Sequence, residues 1–247
     1  MGQGAAAAAT LRRLVPVPVL DVSSRARAQA HEPRRPARPV SVAIAHNKGG
    51  VSKTTSTYLL GRHLARDLQV ELVDLDHTQY LREAVAQLSP RGDLTLSPRL
   101  WLRSGSPRPA DVVLIDSEPA RGHAARTALL MADYVLIPVP PEPFCLKGLV
   151  LMLDVIEQVR TDRQEGNPFL QVLGVLPTMV DQRWPDHRGW LDEMRRVCRE
   201  RGIRIFPPIP RRQSYTRLSV AGHDYVPVAD AIRALVHASR QRETADA

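Results

Sequence analysis

Residues 40–56 read VSVAIAHNKGGVSKTTS, and the order of residue types along that stretch decides the fold. Val40-Ser41-Val42-Ala43-Ile44-Ala45 is apolar and β-branched enough for a strand buried on both faces. Thr54 to Leu68 carries Leu59, Leu60, His63 and Leu64 at helical spacing. Between strand and helix lies a loop with two glycines, Gly49 and Gly50, closed by Lys53 and Thr54. Backbone N–H groups in such a loop point inward at a helix N-terminus, so a polyphosphate gains hydrogen bonds and the positive end of the helix dipole. The candidate nucleotide-binding residues are therefore Asn47, Lys48, Gly49, Gly50, Val51, Ser52, Lys53, Thr54 and Thr55.

Composition sharpens this reading. The chain holds 34 Lys and Arg, of which only Lys48, Lys53 and Lys147 are lysines. Two of the three sit in the loop, where a compact ammonium fits among phosphate oxygens better than a planar guanidinium does. The strict phosphate-loop pattern G-x-x-x-x-G-K-[ST] is not met, since Asn47 stands at its first glycine and Ser52 at its second.

A different pattern fits. KGGVSKTT at 48–55 resembles the deviant Walker A sequence KGGxGKT[ST] of the ParA/MinD superfamily of dimeric ATPases, and the chain is most similar to the ParA-type partition members. VELVDLDHTQ at 70–79 is similar to the superfamily strand ending in DxDPQ, and DVVLIDSEPA at 111–120 to its Walker B strand ending in DxPP. ADYVLIPVPPEPFCLKGL at 132–149 resembles the ParA stretch that follows, with weaker likeness in GVLPTMVDQR and IFPPIPRRQSYTRLSVAG. The resemblance spans residues 41–236. Three departures stand out: Ser52 for a glycine, His77 for the proline of DxDPQ, and Glu118 for the first proline of DxPP.

The resemblance implies roles residue by residue. Lys53 contacts the β- and γ-phosphates of ATP, and the Thr54 hydroxyl ligates Mg²⁺, as in P-loop enzymes generally. Asp116, at the end of an apolar strand, holds Mg²⁺ through water, because that ion keeps several of its waters; Asp74 supports the same water shell. Asp76 orients the attacking water. Lys48 reaches across a nucleotide-sandwiched dimer to the partner's phosphates. The catalytic set is thus Lys48, Lys53 and Asp76, and the implied cycle is ATP-dependent homodimerisation followed by slow, partner-stimulated hydrolysis. It further implies nonspecific DNA binding and a ParB-like adaptor protein.

Strands are expected near 41–46, 69–74, 111–116, 134–139 and 170–176, and helices near 54–67, 120–131, 145–160, 187–201 and 227–240. That alternation predicts an α/β, P-loop NTPase-like fold with a mostly parallel sheet covered on both faces. The Pro- and Gly-rich stretch 78–109 is expected to hold one helix and a short strand. A single ATPase domain over 40–241 suffices, with a short polar tail at 242–247.

Residues 1–39 differ in composition, with seven Arg, five Pro and an alanine run, and read as a disordered basic tail. Arg12 and Arg13 break its apolar run, which makes a poor signal peptide, and MGQGAA lacks the Ser or Thr of a myristoylation motif. Two cysteines give no disulfide framework and suit a reducing cytosol. The expected location is cytoplasmic and nucleoid-associated, with no membrane partner.

Net charge is +8, of which the tail contributes +5. The remaining excess gathers late in the chain, where Arg195, Arg196, Arg199, Arg211, Arg212 and Arg217 lie with Glu200 as the acid among them. These arginines are the candidate DNA-binding residues, neutralising phosphates without reading sequence. Two rival readings remain at this point. A MinD-like membrane positioner is opposed by the last segment, which lacks bulky aromatics and ends polar. A nucleotide-dependent regulatory module with little turnover is kept open by the three departures. A nitrogenase-type iron protein would need cluster-ligating cysteines on both sides of Walker B, and none precedes Cys145.

Overall fold

The computed structural model of the chain describes residues 38–89, 94–106, 108–119, 123–181, 183–216, 218 and 222–245. The expected tail at 1–39 therefore lies almost wholly outside the described residues. Seven strands form one sheet: β1 Val40–Ile44, β2 Val70–Asp74, β3 Thr95–Ser97, β4 Leu100–Leu102, β5 Val112–Asp116, β6 Tyr134–Val139 and β7 Gln171–Pro177, in the order β3-β4-β2-β5-β1-β6-β7. Every pairing is parallel except β3 with β4.

Strand residues alternate between two cores. Val40, Val42 and Ile44 face one, Ala43 and Ala45 the other, and Val112 and Leu114 alternate likewise with Val113 and Ile115. Both faces being buried, the central strands are mostly apolar rather than alternating, with Ser41 of β1 and Glu71 of β2 as buried polar residues. On the first face lie α1 (Lys53–Leu64), α2 (Tyr80–Leu88), α6 (Gln213–Thr216) and α7 (Val226–Ala245). The second carries α3 (His123–Met131), α4 (Pro143–Thr161) and α5 (Pro185–Glu200).

Stretch 78–109 departs from expectation. It holds the expected helix, α2, but two short strands in place of one, because β3 turns back antiparallel on β4 to extend the sheet edge. The short α6 and a 3₁₀ turn at His223–Tyr225 were not foreseen either, since four and three residues show no periodicity. α7 continues to Ala245, past the expected domain edge at 241. It packs by Val228, Ala229, Ile232 and Val236, and Arg233 pairs with Asp67 at 2.8 Å behind α1. Among the described residues no helix is long and apolar enough to cross a membrane.

Register positions the site. Ile44 of β1 and Asp74 of β2 both pair with Asp116 of β5, so three neighbouring strands end level. The loops that leave them open side by side at the carboxyl end of the sheet, where ligands bind in such folds.

Candidate nucleotide-binding site

The loop between β1 and α1 is wound by two left-handed residues, Gly50 at φ 71° and Ser52 at φ 72°. Ser52 is the N-cap of α1, and its carbonyl accepts the Ser56 N–H at 2.9 Å. Lys53, the first helical residue, is 7% exposed and donates from Nζ to the Lys48 carbonyl at 3.2 Å. Burial lowers its pKa, while Asp116, Asp76 and Glu118 raise it. Those three carboxylates come from the end of β5 and the loops after β2 and β5, so the ammonium is the positive centre of an acidic rim.

Asp116 ends β5 fully buried. Burial pushes its carboxyl up to about 7; neighbouring Thr54 and Lys53 oppose that rise, while Asp74 and Asp76 add to it. Oδ1 accepts the Ser117 N–H at 3.2 Å, and Oδ2 is buried with no hydrogen-bond partner. Asp74 accepts the backbone N–H groups of Asp76 and Arg82, each at 3.0 Å, which ties the loop after β2 to the first turn of α2. Burial raises the Asp74 pKa, and those two bonds oppose it. Asp76 accepts from the Thr78 N–H at 2.9 Å and hydroxyl at 2.7 Å. Although burial opposes them, these bonds hold its pKa below the ordinary value.

Lys48 folds back on its own chain. Its Nζ lies 3.2 Å from Cys145 Sγ and 3.4 Å from Glu142 Oε2, both at the start of α4. The Cys145 hydrogen bond is the main reason its pKa is raised. Beside it an open groove of about 430 Å³ is lined by Asn47, Lys48, Phe144, Lys147 and Leu151, and Phe144 is 77% exposed.

Three supporting residues escaped the sequence reading. His46, fully buried beneath the loop, accepts the Lys48 N–H on Nδ1 at 3.0 Å and donates from Nε2 to the Cys145 carbonyl at 3.3 Å. Burial lowers its pKa to about 4, so the ring is neutral and bridges the loop to α4. Gly148 lets α4 approach that ring, since a Cβ there would stand 2.7 Å from His46 Cε1 and 2.6 Å from Asn47 Oδ1. Thr178, after β7, donates to the Val51 carbonyl at 3.1 Å. His46 adjoins a marked motif, and Gly148 and Thr178 lie inside stretches already marked for their likeness, but nothing in the sequence shows the contacts they make.

Residues 42–224 match the CobQ/CobB/MinD/ParA nucleotide binding domain. The chain belongs to this family. Among its relatives, the chromosome-partitioning ATPase Soj of Thermus thermophilus is 29% identical over 177 residues, covering 58% of this chain and 70% of Soj. Protein IncC of Escherichia coli is 43% identical over 77 residues, 31% of this chain and 20% of IncC, so the chain matches only a small part of that relative. Cobyrinic acid a,c-diamide synthase from Mycobacterium smegmatis, solved with an ATP analogue and magnesium, superimposes with TM-score 0.62 at 26% identity over 78% of this chain and 93% of that one.

Within this ParA/MinD-type frame, the structure brings Asn47 to Thr55, Asp74, Asp76 and Asp116 to one end of the sheet. The residues fit a hydrated Mg²⁺: the Thr54 hydroxyl, second in the facing helix, lies beside the buried Asp116 carboxyl, whose Oδ2 makes no hydrogen bond of normal geometry. The late arginines do not form one free cluster. Arg195 pairs with Asp192 at 2.7 Å and Arg196 with Glu193 and Glu200, acids one turn away on α5. Arg212 pairs with Asp224 at 3.3 Å. Glu200, the acid within that stretch, does pair with Arg196, and helical spacing and the fold add Asp192, Glu193 and Asp224 from outside it. Arg199 and Arg211 are exposed and have no ion pair among the described residues. Arg217 lies outside the described residues.

Proposed function

We propose that this chain is a ParA-like partition ATPase that dimerises on ATP, binds DNA without sequence preference, and moves a plasmid or chromosome origin with a ParB-like adaptor. One observation carries the reading: the buried Lys53 ammonium on a phosphate loop, faced by Asp76 and Asp116 from adjacent strand ends. In this mechanism Lys53 exchanges the Lys48 carbonyl for the β- and γ-phosphates, and the loop N–H groups hold the remaining oxygens. Thr54 and Asp116 would hold Mg²⁺, with Asp74 behind its waters, and the bound ion would supply positive charge against the phosphate oxygens. Asp76, fixed through Oδ1 by Thr78, accepts from the attacking water and orients it. Lys48 leaves Glu142 and Cys145 for the phosphates of a second copy, which covers the groove around Phe144.

Arg199 and Arg211 supply the free cations for DNA in this reading, and the cytoplasm is where it acts, on the nucleoid. The packing of α7 buries Val228, Ala229, Ile232 and Val236 in the core, so the main apolar stripe of its described residues is not open to a membrane, which disfavours the MinD-like rival.

The test combines titration calorimetry with light scattering in MgATP. Lys53→Ala and Lys53→Arg are expected to lose ATP binding, since a guanidinium fork does not fit the cradle. Asp76→Ala is expected to bind ATP and accumulate as a dimer, and Lys48→Ala to bind ATP as a monomer. Parental affinity in both Lys53 variants would sink the site assignment. Parental dimerisation and turnover in the other two would sink the sandwich mechanism.

A further inference from the structure

Two of the three sequence departures meet in space. His77 follows β2 and Glu118 follows β5, 41 residues apart, yet His77 Nδ1 lies 3.0 Å from Glu118 Oε2. A carboxylate only accepts, so the ring donates from Nδ1. The pairing of Asp74 with Asp116 sets the two loops side by side, and the strand ladder closes with the Leu75 N–H on the Asp116 carbonyl at 3.1 Å. Beyond that point His77 and Glu118 link the loops through side chains. The Glu118 side chain is 16% exposed and lies close enough to Lys53 to act on its charge; the His77 ring, 77% exposed, closes over it from outside. The same Nδ1 stands 3.7 Å from Asp76 Oδ1.

The positions matter as much as the contact. Both correspond to prolines in the motifs this chain resembles, and proline stiffens a loop by locking φ. Here neither loop has that constraint at these positions, and the hydrogen bond between them supplies an alternative one. Asp76 adjoins His77, and Ser117, bonded to the Ile44 carbonyl at 3.1 Å, adjoins Glu118. A tie from Glu118 to His77 therefore references the Asp76 loop to the strand that launches the phosphate loop.

We propose that His77 and Glu118 are a positioning pair, which together hold the Asp76 loop in register with the phosphate loop for the attack on ATP. This rests on the ATPase reading above. The full chain is assayed for ATP hydrolysis and MgATP affinity, and the nucleotide-free protein for amide hydrogen exchange. His77→Ala and Glu118→Ala are each expected to lower kcat about tenfold, with KM and ATP affinity within about twofold, because the loss is one of orientation. The double variant should be no slower than the slower single one, since the pair acts as a unit. Glu118→Gln, which keeps an acceptor for the ring, should stay within about threefold of the parent. In exchange, His77→Ala should loosen residues 116–119 and Glu118→Ala residues 74–79. Independent exchange in the two loops overturns the tie, whether or not ATP is hydrolysed. Coupled exchange with unchanged kcat in an active parent, or multiplicative losses in the double variant, overturns the positioning role. A parent that hydrolyses no ATP instead removes the ATPase reading, and exchange still decides the tie.

Discussion

Ser52 holds a backbone conformation that favours glycine. A non-glycine residue in the left-handed region is destabilised by about 1 kcal/mol, because its Cβ crowds the following carbonyl. Ser52→Gly removes that strain but loosens the unfolded chain, so the expected net gain is roughly 0.5 kcal/mol. The thermal midpoint should rise slightly and MgATP affinity should be at least parental; a clear fall in midpoint would show that the Ser52 side chain makes a contact that matters. Lys53 and Asp76 could be read from the sequence because their neighbours spell motifs. His46 could not, since its importance comes from two hydrogen bonds, one of them to a residue 99 positions away.

At the scale of elements, α4 presses on the phosphate loop through Gly148. An added methyl would meet the Asn47 side chain, which can rotate, and the His46 ring, which is held at both nitrogens. Gly148→Ala should therefore destabilise by about 1–3 kcal/mol, as overpacking in a tight contact does. Thermal unfolding checks this, and an unchanged midpoint would mean that α4 can withdraw freely. On α5 the acids one turn away restrain the arginines. With MgATP present, Arg199→Ala and Arg211→Ala are each expected to reduce the salt slope of DNA binding by about one unit. Arg195→Ala and Arg196→Ala should reduce it less, because an exposed paired cation must first leave its acid. Fluorescence anisotropy across a salt series gives the slopes; equal losses at all four positions would put the whole face on the DNA.

Across the whole molecule, two buried groups bend the pH dependence of stability in opposite directions. The folded Asp116 pKa is raised to about 7 from 3.8, so the folded state binds more protons in that window and stability falls as pH rises through it. His46 is lowered from 6.5 to about 4, so the unfolded state binds more protons there and stability falls as pH drops through it. The two slopes partly cancel. In protein free of nucleotide and metal, Asp116→Asn should raise the thermal midpoint near pH 7.5 by about 5 °C and change it little near pH 4. It should also uncover the His46 slope, seen as acid destabilisation between the two His46 values. A gain that is the same at both pH values would mean that Asp116 is not buried as a costly charge.

The strand–loop–helix opening and the parallel sheet were legible in the sequence because their signals are local: β-branched runs, helical spacing, and a glycine loop ending in Lys53-Thr54. Family membership was legible too, since four motifs stand in order along the chain. The edge hairpin β3–β4 was not, because three-residue strands carry too few positions to show alternation. How α4 clasps the loop and the meeting of His77 with Glu118 were decided by the tertiary structure alone. The clasp and the His77–Glu118 meeting depend on distances between residues far apart in the chain, set by which strands lie side by side, whereas the pairing of Arg195 and Arg196 follows from helical spacing once α5 is formed.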